Sequence, residues 1–275
     1  MSDTTSGSAP SPSPSRRIHP TWMLASGNAL FRIRNGLFPV IYVLLALFTR
    51  PAQFMGNPAW DRIVMTTGIL IALAGQAFRL FVIGFAYVKR GGKKRKVYAE
   101  NLVVEGLYAH SRNPMYVGNF LIACGACLVY GSLWMYVLVI PFFAWVYLAI
   151  TAAEEQYLFD KFGPDYEAYM KSVNRFIPNF RGLSASLSTY HYRWRTVLAK
   201  DYGTIFSTIA GLTAIVMWKK CSIYGWEAKK GEILAIAWLF IPWIIFYGTA
   251  RFLKLTGRLQ EPGDQTANPS APAQT

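Results

Sequence analysis

Two short polar stretches of the sequence hold the residue types best suited to chemistry. The first stretch runs from Gly106 to Tyr116 and contains Tyr108, His110, Arg112, Asn113, Pro114 and Met115. Asn followed by Pro is typical of a helix start, because Asn can cap the first turn and Pro suits the first helical position. A helix N-terminus beside an arginine favours a bound carboxylate or phosphate. An ordinary interfacial belt at the start of a membrane helix explains several of the same residues, and the pattern leaves both interpretations open.

The second stretch begins at the adjacent acids Glu154 and Glu155. Two acids at the C-terminal end of a helix oppose the helix dipole, which favours cations there. A bound cation would resolve this conflict, and an ordinary charged helix end is the alternative. Farther on, Tyr166 and Tyr169 have the spacing of one helical turn, which predicts a short amphipathic helix before Arg175.

The composition decides which kind of protein must position these residues. Hydrophobic residues make up 53% of the 275 residues, aromatic residues 16% and charged residues only 15%. A water-facing surface requires about a quarter of the residues to be charged, so the composition excludes an ordinary soluble domain. The net charge of +14 favours an anionic membrane surface as the partner and not nucleic acid. Three cysteines are too few for a secreted disulfide framework.

The apolar segments predict an all-α, polytopic integral membrane helical bundle of about six spans with a cytoplasmic cofactor pocket. We predict a disordered tail over residues 1–20, a membrane core over 21–181, a C-terminal linker and transmembrane hairpin over 182–258, and a second disordered tail over 259–275. The expected spans are Gly36–Phe48 (with Ala29–Ile33 added), Ile63–Val88, Met115–Tyr130, Leu133–Ala153, Thr204–Trp218 and Ile233–Phe252.

The distribution of Lys and Arg predicts the orientation of this bundle. Most basic residues fall in the segments that share a side with the N-terminus, so we expect both termini to be cytoplasmic. The basic run Lys89–Lys96 is then a membrane-surface anchor. Two long polar segments, Lys89–Pro114 and Glu154–Asp201, lie on the same side, and the chemistry is therefore expected at the cytoplasmic face.

Several motifs occur in one order: Gly-Leu-Tyr from Gly106, Arg-Asn-Pro-Met-Tyr-x-Gly from Arg112, and Glu-Glu-x-x-Leu-x-x-x-Phe-Gly from Glu154. Tyr-x-x-Tyr from Tyr166 and Arg-Phe-x-Pro from Arg175 follow. This series resembles the isoprenylcysteine carboxyl methyltransferase family, and the related phospholipid N-methyltransferases share its outline. The resemblance covers Gly68 to Pro178, with Gly75 to Arg79 as a Gly-x-x-x-Arg motif in the second span.

The resemblance implies a membrane enzyme that transfers a methyl group from S-adenosylmethionine to a lipophilic acceptor. The carboxylate of S-adenosylmethionine suits Arg112, and the ammonium and sulfonium of the same molecule suit the pair Glu154 and Glu155. Arg112 and Arg175 are expected in the catalytic site, with Arg175 orienting the acceptor. No metal is expected, and membrane lipids are the expected surroundings. The expected cofactor-binding residues are Glu100, Asn101, Leu102, Val103, Tyr108, Arg112, Asn113, Pro114, Met115, Tyr116, Glu154 and Glu155.

Two positions depart from the family pattern. The carboxyl methyltransferases usually carry His where this sequence has Asn113. They also place an arginine three residues after the second tyrosine, where this sequence has Ser172, and Arg175 one helical turn later is the expected substitute. The acceptor therefore stays open between a prenylcysteine carboxylate, a phospholipid amine and a small thiol. A sterol-type NADPH reductase and a non-catalytic membrane scaffold are the remaining alternatives.

Two further expectations concern charge and packing within the bundle. Arg79 is costly in lipid, so it either faces the bundle interior, toward the acids, or extends to the interface. The C-terminal helix pair is expected to pack against the third and fourth spans and to be dispensable for cofactor binding. A dimer contact is the alternative role, since small residues at helical spacing allow close approach between helices. Those residues are Gly203, Ser207, Gly211 and Ala214.

Overall fold

The computed structural model describes residues 16–85, 90–93, 96–99, 102–188 and 191–259. Helices account for nearly all of the regular structure in these residues, as the sequence predicted. The exception is a short antiparallel hairpin of β1 (Arg90–Lys93) and β2 (Lys96–Ala99), which lies in the predicted basic anchor. The α-helices are α1 (Thr21–Phe48), α2 (Pro58–Phe85), α3 (Pro114–Tyr130), α4 (Ile140–Phe162), α5 (Pro164–Ser172), α6 (Leu183–Ser188), α7 (Trp194–Tyr224), α8 (Trp226–Trp238) and α9 (Phe240–Leu255).

Three helical stretches in the described part of the chain are long and apolar enough to cross a membrane. They are Pro58–Phe85, Met135–Phe162 and Trp226–Leu255. The second stretch joins a short helical segment, Met135–Val139, to α4, and the third stretch joins α8 to α9. The helix α3 is also apolar but shorter. These stretches support an integral membrane protein. The predicted turn between the third and fourth spans is confirmed at Gly131, whose φ of 75° is the left-handed conformation that glycine adopts at helix ends.

The antiparallel helices α2 and α3 pack with their backbones in contact. A Cβ atom added to Gly75 would lie 2.7 Å from the carbonyl oxygen of Gly118, and one added to Gly125 would lie 2.4 Å from that of Gly68. A larger side chain at either position would push the helices apart, so the close packing of α2 and α3 requires glycine there. The pairing brings the end of α2 beside the start of α3, where the first polar stretch leads into the helix.

A second close pair is formed by α1 and α4. A Cβ atom on Gly27 would lie only 2.0 Å from the carbonyl oxygen of Ala149. Around this contact, Phe31 of α1 packs with Phe143 and Tyr147 of α4 in a buried apolar cluster. The close approach carries the residues that precede α1 to the C-terminal end of α4, where the paired acids lie.

The helix α7 packs against α2 and α3, so of the two predicted partner spans only the third is confirmed. Arg79 faces the bundle interior, as one alternative predicted, but its acidic partner is Asp201 on α7 and not the Glu154–Glu155 pair. The guanidinium also donates to Asn119 of α3, and Gln76 donates to Asp201 at 2.8 Å. Buried charges require such partners, and the nearest acid across the helix pair is on α7.

The small residues predicted to mediate close packing on α7 do not do so within the described chain. A Cβ atom at Gly203 or Gly211 would meet nothing within 4 Å, and Ser207 and Ala214 are exposed. The helix α7 is attached to the core by its buried charges, which face α2, and by Leu212, which packs with Ala72 and Val129.

Candidate active site

Backbone hydrogen bonds hold the first polar stretch against the segment that follows α5. The amide of Arg112 donates to the carbonyl of Asn174 at 2.9 Å, and the amide of Asn179 donates to the carbonyl of His110 at 2.9 Å. The Ser111 hydroxyl donates to the Phe176 carbonyl at 2.9 Å. These bonds set Arg112 and Arg175 side by side, although the two residues are far apart in the sequence.

Glu155 lies at the centre of the site and is 2% exposed. Its Oε1 atom lies 3.3 Å from Nη1 of Arg112 and 3.4 Å from Nδ2 of Asn113. Its Oε2 atom lies 3.0 Å from Nη2 of Arg175 and 3.0 Å from Nε2 of His19. A carboxylate offers about four acceptor positions, so Glu155 is fully surrounded by four donors from three separate parts of the chain.

The two arginines keep donor groups that these contacts do not use. The Nε atoms of Arg112 and Arg175 are buried and have no hydrogen-bond partner among the described residues. Two guanidinium groups share one buried carboxylate, so the local charge is positive. Buried donors without acceptors are costly, and an incoming anion with two oxygens would satisfy them.

Glu154 takes part in a separate set of contacts. The Tyr116 hydroxyl donates to Oε1 of Glu154 at 2.7 Å, and Nη1 of Arg34 on α1 donates to the same hydroxyl at 3.1 Å. The Glu154 side chain is 24% exposed, in contrast to that of Glu155. The two adjacent acids therefore differ: one is enclosed by cations, and the other lies at the edge of the site.

The residues just before α1 form a strap, Arg16–Pro20, across the end of α4. The amide of Ile18 donates to Oε1 of Gln156 at 2.9 Å, and Nε2 of Gln156 donates to the Arg16 carbonyl at 3.2 Å. These two bonds place His19 over Glu155. The sequence predicted a disordered tail through Pro20. In the structure the last five residues of that tail are held by α4, and residues 1–15 lie outside the described residues.

Several of the other predicted cofactor residues belong to two apolar clusters. Tyr108, Val103 and Met115 pack in an apolar group with Val82, and Leu102 packs against Tyr166 and Tyr169 of α5. Tyr169 donates to the Tyr108 carbonyl at 2.6 Å, which fixes α5 beside the first polar stretch. Pro114 is buried at the first position of α3. Glu100 and Asn101 lie outside the described residues.

Two details of the sequence interpretation are wrong. Asn113 occupies the cap position of α3, but its side chain makes no capping bond, since the amide nitrogen donates to Glu155 and to the Arg175 carbonyl instead. Arg175 does not lie one helical turn after Ser172, because α5 ends at Ser172 and the chain continues in an extended conformation at Val173. The extended conformation allows Arg175 to reach Glu155.

Three contributors were missed by the sequence analysis: His19, Arg34 and Gln156. His19 follows a Ser- and Pro-rich stretch, and nothing in its neighbourhood indicates a site. Arg34 resembles any other positive residue near a membrane surface. No group of three or more His, Cys, Asp or Glu residues that could hold a metal occurs in the part of the chain that the structure describes.

Comparisons with known proteins agree with the motif pattern. Residues 63–165 match the family model described as phospholipid methyltransferase. A protein-S-isoprenylcysteine O-methyltransferase of Schizosaccharomyces pombe is 39% identical over 159 residues, which cover 57% of this chain and 61% of that protein. The nickel-cobalt-cadmium resistance protein NccN of Alcaligenes xylosoxydans xylosoxydans is 29% identical over 164 residues, covering 58% of this chain and 71% of that protein.

The matched region spans less than two thirds of the length of the Schizosaccharomyces pombe relative. No solved structure shows a significant match to this chain. The matched residues include most of α2, all of α3 and α4, and the polar stretches up to the start of α5. The resemblance inferred from the motifs is thereby confirmed: residues 63–165 are similar to the phospholipid methyltransferase family, and the chain is similar to an isoprenylcysteine methyltransferase.

Proposed function

We propose that this protein is an integral membrane methyltransferase that uses S-adenosylmethionine and methylates a lipophilic acceptor at the cytoplasmic face. The family match and the names of the relatives support methyl transfer. The observation that carries the proposal is the pair of arginines Arg112 and Arg175, whose buried, unpaired Nε atoms lie beside the saturated carboxylate of Glu155.

These residues fit the cofactor. S-adenosylmethionine carries a carboxylate, which would be held by the unpaired Nε atom of Arg112 in a site of net positive charge. Its ammonium would lie toward Glu154, because Glu155 already has a donor at each acceptor position. When bound, the cofactor supplies a methyl group on a sulfonium.

The residues of the chain would contribute binding, alignment and exclusion of water. Methyl transfer from a sulfonium is a direct displacement, which depends mainly on the alignment of the two reactants. Glu155 would fix both arginines, and the apolar group around Tyr108 and Met115 would keep water from the reacting atoms. The chain needs no covalent intermediate for this reaction.

Arg175 favours an anionic acceptor. Its buried Nε atom has no hydrogen-bond partner among the described residues, so a carboxylate on the acceptor would satisfy it. The name of the Schizosaccharomyces pombe relative indicates a prenylated cysteine, which carries such a carboxylate on a lipophilic molecule. A phospholipid amine is the second candidate acceptor, supported by the description of the family model.

The proposed topology has six spans: α1, α2, α3, α4, α7, and α8 with α9. The antiparallel pairs α1–α4 and α2–α3 place the start of α1, the end of α2, the start of α3 and the end of α4 at one end of the bundle. This end carries the candidate site and many of the basic residues, so it is the cytoplasmic end under the positive-inside rule. Both termini then face the cytoplasm.

Binding of labelled S-adenosylmethionine to the purified protein in detergent tests the proposal. We expect Arg112→Ala to weaken binding by about tenfold or more, as for other hydrogen bonds to charged groups. Arg175→Ala should retain cofactor binding and lose methylation of a prenylcysteine acceptor. Arg181→Ala, at an exposed arginine of the same segment, is the control. A protein that binds no S-adenosylmethionine would exclude the proposed function.

A further inference from the structure

The imidazole of His19 contacts the central carboxylate of the site from outside the matched region. His19 Nε2 lies 3.0 Å from Oε2 of Glu155, and the His19 side chain is 18% exposed. The strap that carries it is held by Gln156, the neighbour of Glu155 in the sequence. The C-terminal end of α4 therefore carries Glu155 and also holds the strap that contains His19.

A second observation concerns the residue on the other oxygen of this carboxylate. Asn113 Nδ2 lies 3.4 Å from Oε1 of Glu155. Besides the two arginines, the Glu155 carboxylate therefore has two further partners, His19 and Asn113. The imidazole of the strap and the side-chain amide of Asn113 therefore contact the same carboxylate, one on each oxygen.

Glu155 requires these partners because it holds two arginines at once. Oε1 faces Arg112 and Oε2 faces Arg175, so rotation of the carboxylate would detach one guanidinium or the other. A donor on each oxygen besides the arginine resists this rotation. Asn113 supplies the donor on Oε1, and His19 supplies the donor on Oε2.

We infer that His19 is a positioning residue of this site, which together with Asn113 fixes Glu155 between Arg112 and Arg175. The strap is then part of the functional unit, although it lies outside the matched residues. The inference rests on the proposed function for its effect on cofactor binding, and the contact itself can be tested without the cofactor.

The cofactor test exchanges the two residues. We expect His19→Asn to weaken binding of labelled S-adenosylmethionine by about ten- to a hundredfold, since one hydrogen bond to a charged group is lost. The double variant with His19→Asn and Asn113→His should recover most of the lost affinity, which a merely structural role of the strap would not produce. Arg17→Ala is the matched control, because Arg17 is an exposed strap residue that bonds to Thr21. Unchanged affinity in His19→Asn, or no recovery in a folded double variant, would overturn the inference.

The contact test uses thermal unfolding of the purified protein without cofactor, for His19→Ala, Glu155→Gln and the double variant. Losses in unfolding free energy that are not additive support the contact, and additive losses overturn it. This separates the two hypotheses: if the unsubstituted protein binds no S-adenosylmethionine, the proposed function fails, and the unfolding cycle still decides whether His19 positions Glu155.

Discussion

Arg79 of α2 and Asp201 of α7 form an ion pair buried inside the helical bundle, with Asp201 only 1% exposed. A second buried pair joins the same two helices with the opposite polarity, between Asp61 of α2 and Lys219 of α7 at 2.7 Å. The two pairs are separated by 18 residues on each helix, or about 27 Å at a rise of ~1.5 Å per residue. The helix α7 is therefore aligned with α2 over most of its length, with each acid opposite a base.

Removing one partner of the Arg79–Asp201 pair should destabilise the protein strongly. Asp201→Asn leaves the buried guanidinium without a counter-ion, and such losses cost about 3–5 kcal/mol. Glu227→Gln is the control, because its partner Lys230 lies on the exposed surface and such pairs contribute about 0–1 kcal/mol. Thermal unfolding in detergent measures both variants. Similar losses in the two variants would show that the buried pair is not a stabilising element.

Truncation after Arg181 should destabilise the remaining helices. The sequence alone predicts that the C-terminal pair is dispensable for cofactor binding. The structure leads to the opposite expectation, because the truncation removes the partners of both Arg79 and Asp61. The amount of truncated protein in the membrane fraction and its unfolding midpoint should both fall. Adding Arg79→Met and Asp61→Asn should restore part of the loss, and a truncated chain as stable as the full chain would contradict the expectation.

A methyl group at Gly27 should separate α1 from α4 and disturb the site indirectly. Its Cβ atom would lie 2.0 Å from the Ala149 carbonyl oxygen, so Gly27→Ala requires a backbone shift that costs about 1–3 kcal/mol. The shift would move His19 and Arg34 away from the paired acids, and S-adenosylmethionine affinity should fall with stability. Gly36→Ala on the same helix meets nothing within 4 Å and should have little effect on either quantity. Equal behaviour of the two variants would rule out a close contact at Gly27.

Glu155→Gln should weaken S-adenosylmethionine binding while the protein stays inserted in the membrane. The substitution removes the charge that holds two guanidinium groups in place, and a loss of about 2–4 kcal/mol corresponds to roughly thirty- to several-hundred-fold in affinity. Glu167→Gln is the control on α5, since Glu167 pairs with exposed Arg16 and Lys171 at the surface. Equal or tighter binding by Glu155→Gln would contradict the role of Glu155 as the anchor of the arginines.

Several features of this protein follow from the sequence by itself. Its apolar content and long apolar segments predict a helical membrane protein, because the backbone of a spanning segment must satisfy its own hydrogen bonds. The tight turn at Gly131 and the short helix with Tyr166 and Tyr169 are local features, and both are present in the structure. The ordered motifs also predict the family, since they lie close together in the chain.

The partners of buried charges were decided only by the tertiary structure. Nothing local indicates that Arg79 meets Asp201 or that His19 meets Glu155, since more than a hundred residues separate the members of each pair. Backbone contacts at Gly27 and Gly75 determine which helix faces meet, and these faces determine which acid each buried base can reach. Burial then makes the pairing obligatory, because an isolated charge inside the bundle costs far more free energy than a paired one. For that reason the sequence indicates the candidate residues of the site, whereas only the tertiary structure shows their contacts.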